Sequence, residues 1–250
     1  GSQSAEETAE TESTQSICDR LNQEIGAEKI FDVAGNSLQP SYSTAKILWY
    51  KENLPEVYAK IDKILQSNSY IAYKLTGVIS QDVSQGYGLH CFDMKKACWD
   101  EEMCELLGIP MEFLPEICDC DHVIGSVTAK AAAKCGLSEG TPVVAGGLDA
   151  ACGTLGAGVI HPGETQEQGG QAGGMSICMD AYKADPRLIL SFHVVPGKWL
   201  LQGGTTGGGG VMRWFEREFA DYERIMKEQT GMSSLSQLNE IAAKVSPGCD

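Results

Sequence analysis

The stretch Gly146-Gly147-Leu148-Asp149-Ala150-Ala151 decides how this chain folds. It follows an apolar run at 141–145 and opens a segment of small residues that extends to Val159. The pattern predicts a buried strand, a glycine turn, an aspartate at a helix N-cap and a tightly packed helix. In α/β proteins the ends of such strands face the crevice where ligands bind. Asp149 is therefore a candidate catalytic residue, and the alternative that it only caps the helix stays open on these residues.

Predicted strands and helices alternate along the rest of the chain, which favours an α/β fold. A helical face in the first segment ends near Gly26, and another helix begins after Asn53, where Pro55 suits an early helical position. The other predicted elements are helices at 99–107, 128–134, 211–229 and 235–245 and a strand at 198–202. The tryptophans expected in a core are Trp49, Trp99 and Trp214.

The composition fits a globular enzyme domain. With 250 residues and 42% hydrophobic content, the chain can bury a sizeable core, in one large or two smaller domains. Its formal net charge of −15 argues against nucleic acid or an anionic membrane as the main partner. It allows a phosphate-bearing ligand, because backbone amides and Mg²⁺ bind phosphates in acidic proteins too. With no signal-peptide pattern and no apolar run near the ~20 residues that span a bilayer, the expected location is the cytoplasm.

Ten cysteines raise the question of a metal site. The closest pair is Cys118 and Cys120, with His122 two residues further on. A structural zinc centre needs four ligands at characteristic spacings, and the chain has no such set. Free thiols in a reducing cytosol are the preferred interpretation, so no residue is assigned to a metal.

Two glycine clusters could bind phosphates. The first contains Gly169, Gly170, Gly173 and Gly174, and the second is the run 203–210. Glycine lets backbone N–H groups approach a phosphate without an intervening side chain. A glycine run by itself is equally compatible with a flexible loop or with close helix packing.

Several further motifs accompany the aspartate stretch in a fixed order. They are Ser41–Asn53, Tyr73–Gly77 with Asp82–Ser84, Leu89–Asp93, Leu106–Pro115 and, after the aspartate, Gly163–Thr165, Gln168–Gln171 and Gly203–Phe215. Over nearly the whole chain they resemble the FGGY carbohydrate kinases, the sugar-kinase family that includes xylulokinase. Tyr50 departs from the first motif, where an aliphatic residue or Phe is usual.

The resemblance implies an actin-like (ribonuclease H-like) α/β fold with two domains that close over a cleft. It makes residues 1–158 part of the N-terminal, sugar-binding domain and residues 159–250 the start of the C-terminal, nucleotide-binding domain. The turn residues His161-Pro162-Gly163 suit such a boundary. By the same resemblance the chain is partial, with a phosphate hairpin expected before Gly1 and an adenosine-binding motif beyond Asp250.

The resemblance also implies ATP-dependent phosphorylation of a sugar hydroxyl, with ATP and Mg²⁺ as cofactors. A sugar hydroxyl is a poor nucleophile whose proton needs an acceptor, and Asp149 matches the general base and sugar contact of the family. Tyr42 and Ser41 match the region that lines the sugar pocket, although Tyr42 could equally be a packing residue. The residues matched to nucleotide binding are Gly169, Gly170, Gln171, Gly207 and Gly208.

One departure from the family concerns catalysis. Where the family usually has Gly-Thr-Ser, this chain has Gly170-Gln171-Ala172, which removes a hydroxyl near the transferred phosphate. The Gln171 amide and the hydroxyls of Thr205 and Thr206 are candidate substitutes.

Xylulose or a related pentulose is the expected substrate. The alternatives are a kinase for another polyol or an autoinducer-2-type substrate, which the segment His193–Gly197 resembles, and a catalytically silent, sugar-binding regulatory relative. The sequence leaves open whether the protein forms a homodimer.

Overall fold

The computed structural model describes residues 14–205, 207–246 and 248. The α-helices are 14–21 (α1), Ala27–Ala34 (α2), Ser43–Asn53 (α3), Pro55–Tyr58 (α4), Ser67–Thr76 (α5), Glu101–Leu107 (α6), Ala129–Cys135 (α7), Asp149–Gly156 (α8), Gly209–Phe219 (α9), Asp221–Thr230 (α10) and Ser234–Ala242 (α11). The strands are Ser80–Asp82 (β1), Phe92–Asp93 (β2), Cys98–Trp99 (β3), Glu116–Cys118 (β4), Val123–Ser126 (β5), Pro142–Val144 (β6), Thr165–Gly169 (β7), Gly173–Met179 (β8), Ile189–Phe192 (β9) and Trp199–Thr205 (β10). The predicted α/β class is confirmed.

Within the described residues, the strands form one four-stranded sheet and three two-stranded ladders. The larger sheet has the order β7-β8-β10-β9, and β9 and β10 are antiparallel with Leu200 opposite Ser191. Strand β1 pairs in parallel with β4, which places Asp82 opposite Cys118. Strands β5 and β6 form an antiparallel pair with an irregular register between Val123 and Gly125.

The described residues divide into two compact units. The first contains the chain up to Gln166 together with Ser176–Gln202, and the second contains Glu167–Met175 and the described residues from Gly203 onward. The division falls within β7, β8 and β10. Among the described residues, no helix is both long and apolar enough to cross a bilayer.

The predicted change of domain at residue 158 does not coincide with this division. Residues 176–202 lie in the first unit because their apolar side chains, including Cys178, Leu190 and Leu200, are fully buried in its cores. Asn36 adds a polar link, since its side chain donates to the Leu190 carbonyl at 2.9 Å and accepts the Leu190 N–H at 2.8 Å. The assignment of 1–158 and 159–250 to the two domains of the family stays a prediction.

One core of the first unit packs helices α1, α2, α3 and α6 together. Its buried members include Leu21, Ile30, Leu48 and Met103, and the half-buried Trp49 and Trp99 pack against it. Burial of such side chains contributes about 1.5–3 kcal/mol each.

A second core lies beneath β9 and β10. Phe92 is fully buried and packs edge-on against both Trp99 and Phe192. Gly86 allows this packing, because a β-carbon there would lie 2.5 Å from the Phe92 ring.

The first helical segment ends at Gly26 as predicted, because its last turn, the π-helical Asn22–Gly26, reaches the non-helical backbone of Gly26 (φ +98°) before α2 begins. The structure corrects two other predicted elements. The predicted helix 211–229 is two helices, interrupted at Ala220, whose backbone is not helical. Strand β6 is largely exposed rather than buried, since it pairs only with β5.

The second unit contains α9, α10 and α11. Gln237 links two of these helices, because its amide donates to the Glu223 carbonyl at 3.1 Å. Trp214 contradicts its predicted core position: its ring meets Phe219 edge-on at 5.3 Å but stays 47% exposed.

Candidate active site

Asp149 is the first residue of α8, directly after the turn that follows β6. The N-cap is Leu148, whose backbone is extended, and so the predicted cap position is wrong by one residue. Asp149 instead accepts the N–H of Ala150 at 2.7 Å through Oδ1. An acidic residue in the first helical turn is favoured by the helix dipole. Its side chain is exposed, which leaves the carboxylate available to a substrate.

The turn before Asp149 requires its two glycines for different reasons. Gly146 has φ +85°, a conformation that disfavours a side chain. Gly147 is crowded, because a β-carbon there would lie 2.3 Å from Val194 Cγ1 and 3.4 Å from Ser84 Oγ. The close approach of other atoms to the backbone at Gly147 therefore comes from the protein's own interior.

Ser84 joins the turn to the rest of the first unit. Its hydroxyl accepts the N–H of Leu148 at 2.8 Å and donates to Oδ1 of Asp82 in a short hydrogen bond. Asn68 holds the other carboxylate oxygen of Asp82 at 2.7 Å. This chain of hydrogen bonds fixes the backbone immediately before Asp149, and all of its members except Asn68 are buried.

The Asp82 carboxyl group is fully buried at the centre of this network. Burial raises its pKa, while hydrogen bonds from Ser84, Asn68 and the Gln85 backbone oppose the rise. Asp82 also caps the 3₁₀ helix Val83–Gly88 by accepting the N–H of Gln85. Its role is therefore to organise the polypeptide around Ser84 rather than to contact a substrate.

Tyr87 lies close enough to Asp149 to interact with it electrostatically, and Tyr42 packs against Tyr87. The rings of Tyr42 and Tyr87 meet edge-on with centroids 5.8 Å apart, and both are half-buried. Burial raises the pKa of Tyr87, and the Asp149 carboxylate raises it further. Burial, assisted by Tyr87, raises the pKa of Tyr42 to about 12. Both phenols are therefore neutral hydrogen-bonding groups near neutral pH.

His90 supports this aromatic pair from inside the protein. Its ring lies 5.4 Å from that of Tyr42 and is fully buried. Nδ1 lies 3.0 Å from the Thr44 hydroxyl, and Nε2 lies 3.3 Å from the Ser37 carbonyl. Burial lowers the pKa of His90 to about 4, so the ring is neutral at pH 7.

The structure thus adds Tyr87, which sequence reasoning missed, as the tyrosine that interacts with Asp149, and it packs the predicted Tyr42 against Tyr87. Tyr87 lies between two recognised motifs, and nothing in its local pattern marks it as a site residue. Ser41 is adjacent to Tyr42 and exposed, and no hydrogen bond within the described residues joins it to Asp149.

The glycine clusters lie in the second unit, and some of their glycines line a cavity of about 530 Å³. Its lining residues are Glu167, Gly173, Gly174, Met175, Gly203, Gly204, Thr205 and Gly208. The size falls within the usual range for ligand pockets. Gly169, Gly170 and Gln171 are exposed nearby in sequence but do not line this cavity.

Several backbone amides assigned to phosphate binding already have partners. Gly208 donates to the Gln171 carbonyl at 2.9 Å, Gly209 to the Gly170 carbonyl at 2.7 Å, and Gly170 to the Ala172 carbonyl at 3.0 Å. In this conformation the amides of Gly170 and Gly208 donate within the protein, and their assignment to nucleotide binding stays a prediction. The two glycine segments bind each other through the hydrogen bonds of Gly208 and Gly209.

Gln171 lies against the start of α9. A β-carbon on Gly210 would lie 2.1 Å from the Gln171 amide nitrogen, so this glycine makes room for the side chain. Thr205 donates to the Gly207 carbonyl at 3.3 Å and lines the cavity, whereas Thr206 lies outside the described residues.

The fit of this cavity to ATP and Mg²⁺ is partial. Its glycine walls leave room for phosphate groups, and the Thr205 hydroxyl is a possible donor. Glu167 supplies one carboxylate, and Mg²⁺ is typically held by one or two carboxylates together with substrate phosphates. Within the described chain, no three His, Cys, Asp or Glu side chains are placed to hold a metal ion, and the nine described cysteines are free thiols.

Comparison with known proteins identifies the class as carbohydrate kinases. The model of the N-terminal domain of the FGGY family of carbohydrate kinases matches residues 8–156. This chain belongs to that family, and its predicted actin-like fold is confirmed by the solved structures that it resembles.

Three relatives illustrate the range of the family. The autoinducer-2 kinase of Enterobacter sp. (strain 638) is 30% identical over 222 residues, which are 88% of this chain and 42% of the relative. The xylulose kinase of Rhodospirillum rubrum is 29% identical with a TM-score of 0.82, and the match covers 92% of this chain and 46% of that one. The gluconate kinase of Lactobacillus acidophilus is 26% identical with a TM-score of 0.74, covering 81% and 42%. The chain therefore spans less than half the length of these relatives.

Proposed function

We propose that the protein containing this chain transfers a phosphoryl group from ATP to a sugar hydroxyl, with Asp149 as the general base. The observation that carries the proposal is an exposed carboxylate on a rigidly held turn: Asp149 faces outward, while Ser84 fixes the N–H of Leu148 immediately before it. Membership of the FGGY family supports the same reaction class.

Asp149 would accept the proton of the attacking hydroxyl. As the sugar oxygen bonds to the terminal phosphorus, the bond to the leaving diphosphate breaks and the hydroxyl proton moves to the carboxylate. Such positioned proton transfer is worth roughly 10²–10⁴ in rate. ATP would supply the phosphoryl group, and Mg²⁺ would neutralise its charge.

Tyr42 and Tyr87 would form the side of the sugar site next to Asp149. Their edge-on rings offer an apolar face, and their neutral phenols can donate or accept hydrogen bonds. Ser41 is retained as a further substrate contact because it adjoins Tyr42 and is exposed.

The glycine-lined cavity of the second unit would hold the nucleotide phosphates. Glu167 and Thr205 are its polar side chains, and either could contact a Mg²⁺–phosphate group. The proposed nucleotide contacts are Gly169, Gly170, Gln171, Gly207 and Gly208. For Gly170 and Gly208 to donate to a phosphate, the hydrogen bonds that their amides make within the protein must first break.

Xylulose or a related pentulose is the proposed substrate, and an autoinducer-2-type substrate is the second candidate. The first rests on the likeness to the Rhodospirillum rubrum enzyme and the second on the likeness to the Enterobacter enzyme, at nearly equal identity. A cytoplasmic location and a homodimer are proposed on resemblance alone.

The test is sugar-dependent release of ADP by the full protein, measured across pentuloses, polyols, gluconate and dihydroxypentanedione. Binding of each sugar is followed in parallel by calorimetry. We expect ADP release with one of the pentuloses. Sugar binding without turnover on any substrate would contradict the kinase and favour a regulatory relative, for which the replacement of Gly-Thr-Ser by Gly170-Gln171-Ala172 is the motivating observation.

A further inference from the structure

A second cavity of about 470 Å³ lies between α5 and α7 in the first unit. The two helices are joined where α7 begins, because the N–H and hydroxyl of Thr128 both donate to the Leu75 carbonyl, at 3.0 and 3.2 Å. These two hydrogen bonds hold the walls of the cavity in place. The tyrosine and aliphatic surface comes from Tyr73, Leu75 and Ala131.

The charge around this cavity is opposite to that of the chain. Lys74, Lys130 and Lys134 line it, and the lining contains no Asp or Glu. The chain as a whole has 34 acidic and 19 basic residues, so a cavity lined by three lysines is positively charged in a negatively charged protein. Lys130 and Lys134 are four residues apart on one helical face, an arrangement that is mildly destabilising by itself.

These lysines are not neutralised by carboxylates. No ion pair within the described part of the chain includes Lys74, Lys130 or Lys134. Lys74 contacts only an aromatic face, with Nζ 5.5 Å from the centroid of Tyr70. The site thus combines unpaired ammonium groups with an apolar wall, and its volume suits a small molecule.

We propose that this cavity binds a small organic phosphate monoester that carries an apolar group. A phosphate monoester has a charge of about −1.5 to −2 at pH 7, and lysine ammonium groups bind phosphate as point charges. The apolar group would pack against Tyr73 and Leu75. Nothing in the proposed kinase reaction uses this cavity, so the ligand is additional to sugar and nucleotide.

Cys135 provides a direct readout, because it lines the cavity and is exposed. Alkylation of Cys135 in the full protein is followed by peptide mass spectrometry, with the exposed Cys98 as internal control. The probes are phenyl phosphate, inorganic phosphate and benzoate. At a probe concentration of ten times Kd, phenyl phosphate should slow alkylation of Cys135 about tenfold and leave Cys98 unchanged. Inorganic phosphate and benzoate should protect less.

Lysine substitutions distinguish binding in the cavity from a general effect of the protein's net charge. The double variant K130Q/K134Q should lose protection, whereas K60Q/K227Q, which makes the same change in net charge at lysines outside the cavity, should keep it. K130R/K134R should retain protection and controls for altered folding. The proposal is overturned if phenyl phosphate gives no protection, if benzoate or inorganic phosphate protects equally, or if protection persists in K130Q/K134Q.

Discussion

The Ser84 hydroxyl accepts the backbone N–H of Leu148 at 2.8 Å, across 64 positions of sequence. It also donates to the buried Asp82 carboxylate, so one side chain connects the 3₁₀ helix Val83–Gly88 to the turn that presents Asp149. Leu148 is itself buried. The position of Asp149 therefore depends on a hydroxyl group that is distant in sequence.

Ser84→Ala is expected to destabilise the protein by about 1–3 kcal/mol, because it leaves the buried N–H of Leu148 without its partner and removes one hydrogen bond from the buried Asp82 carboxylate. Urea denaturation measures the loss, with the exposed Ser138→Ala as matched control. The variant should also lower kcat, since the backbone before Asp149 is released. Unchanged stability and unchanged kcat would show that the hydrogen bond has no positioning role.

Gly147→Ala is expected to cost about 1–3 kcal/mol through overpacking, because the new methyl group would overlap Val194. Gly156→Ala is the matched control, since a β-carbon there meets no atom within 4 Å and lies in α8. That change should be neutral or should stabilise by about 0.5–1 kcal/mol. Thermal denaturation measures the stability of both variants. Equal changes in stability would contradict the close packing at Gly147.

His90 should make stability depend on pH below neutrality. Its folded pKa of about 4 lies below the ordinary value of 6.5, so the unfolded state binds more protons between these values. The contribution of the neutral ring is present above pH 6.5 and is lost as the pH falls toward 4, by up to about 3 kcal/mol. Urea titrations from pH 7 to 4.5 should show this decline, and His90→Gln should flatten it. An equally steep decline in the variant would assign the effect to other groups.

Gly170→Val should raise the KM for ATP more than the KM for sugar. The nearest atom to a β-carbon on Gly170 is the Ala172 carbonyl oxygen at 3.7 Å, so the protein itself has room for the start of a side chain. A branched side chain would instead obstruct an approaching phosphate. Steady-state kinetics with each substrate varied in turn provide the measurement. Equal changes in both KM values would indicate general misfolding and would contradict a nucleotide role for this loop.

Sequence motifs predicted the family and the class of fold, and the catalytic role of Asp149 stays a prediction. They could not predict that the amides of Gly208 and Gly209 donate to the carbonyls of Gln171 and Gly170, because these hydrogen bonds join residues 37 and 39 positions apart. Tyr87 escaped for a similar reason: its proximity to Tyr42 and Asp149 arises from packing between distant elements. The exposed Trp214 shows the opposite error, in which a large apolar residue was assigned to a core by type alone.

The central claim is that Asp149 accepts the proton of the sugar hydroxyl, and kcat of Asp149→Asn in the full protein tests it most directly. The amide keeps the size of the side chain but cannot take a proton. Sugar-dependent ADP release should show kcat lowered by at least ~10², with a smaller change in sugar affinity measured by calorimetry. The exposed Asp62→Asn serves as control and should retain wild-type kcat. A kcat close to wild type in Asp149→Asn would remove Asp149 from the catalytic role and contradict the account.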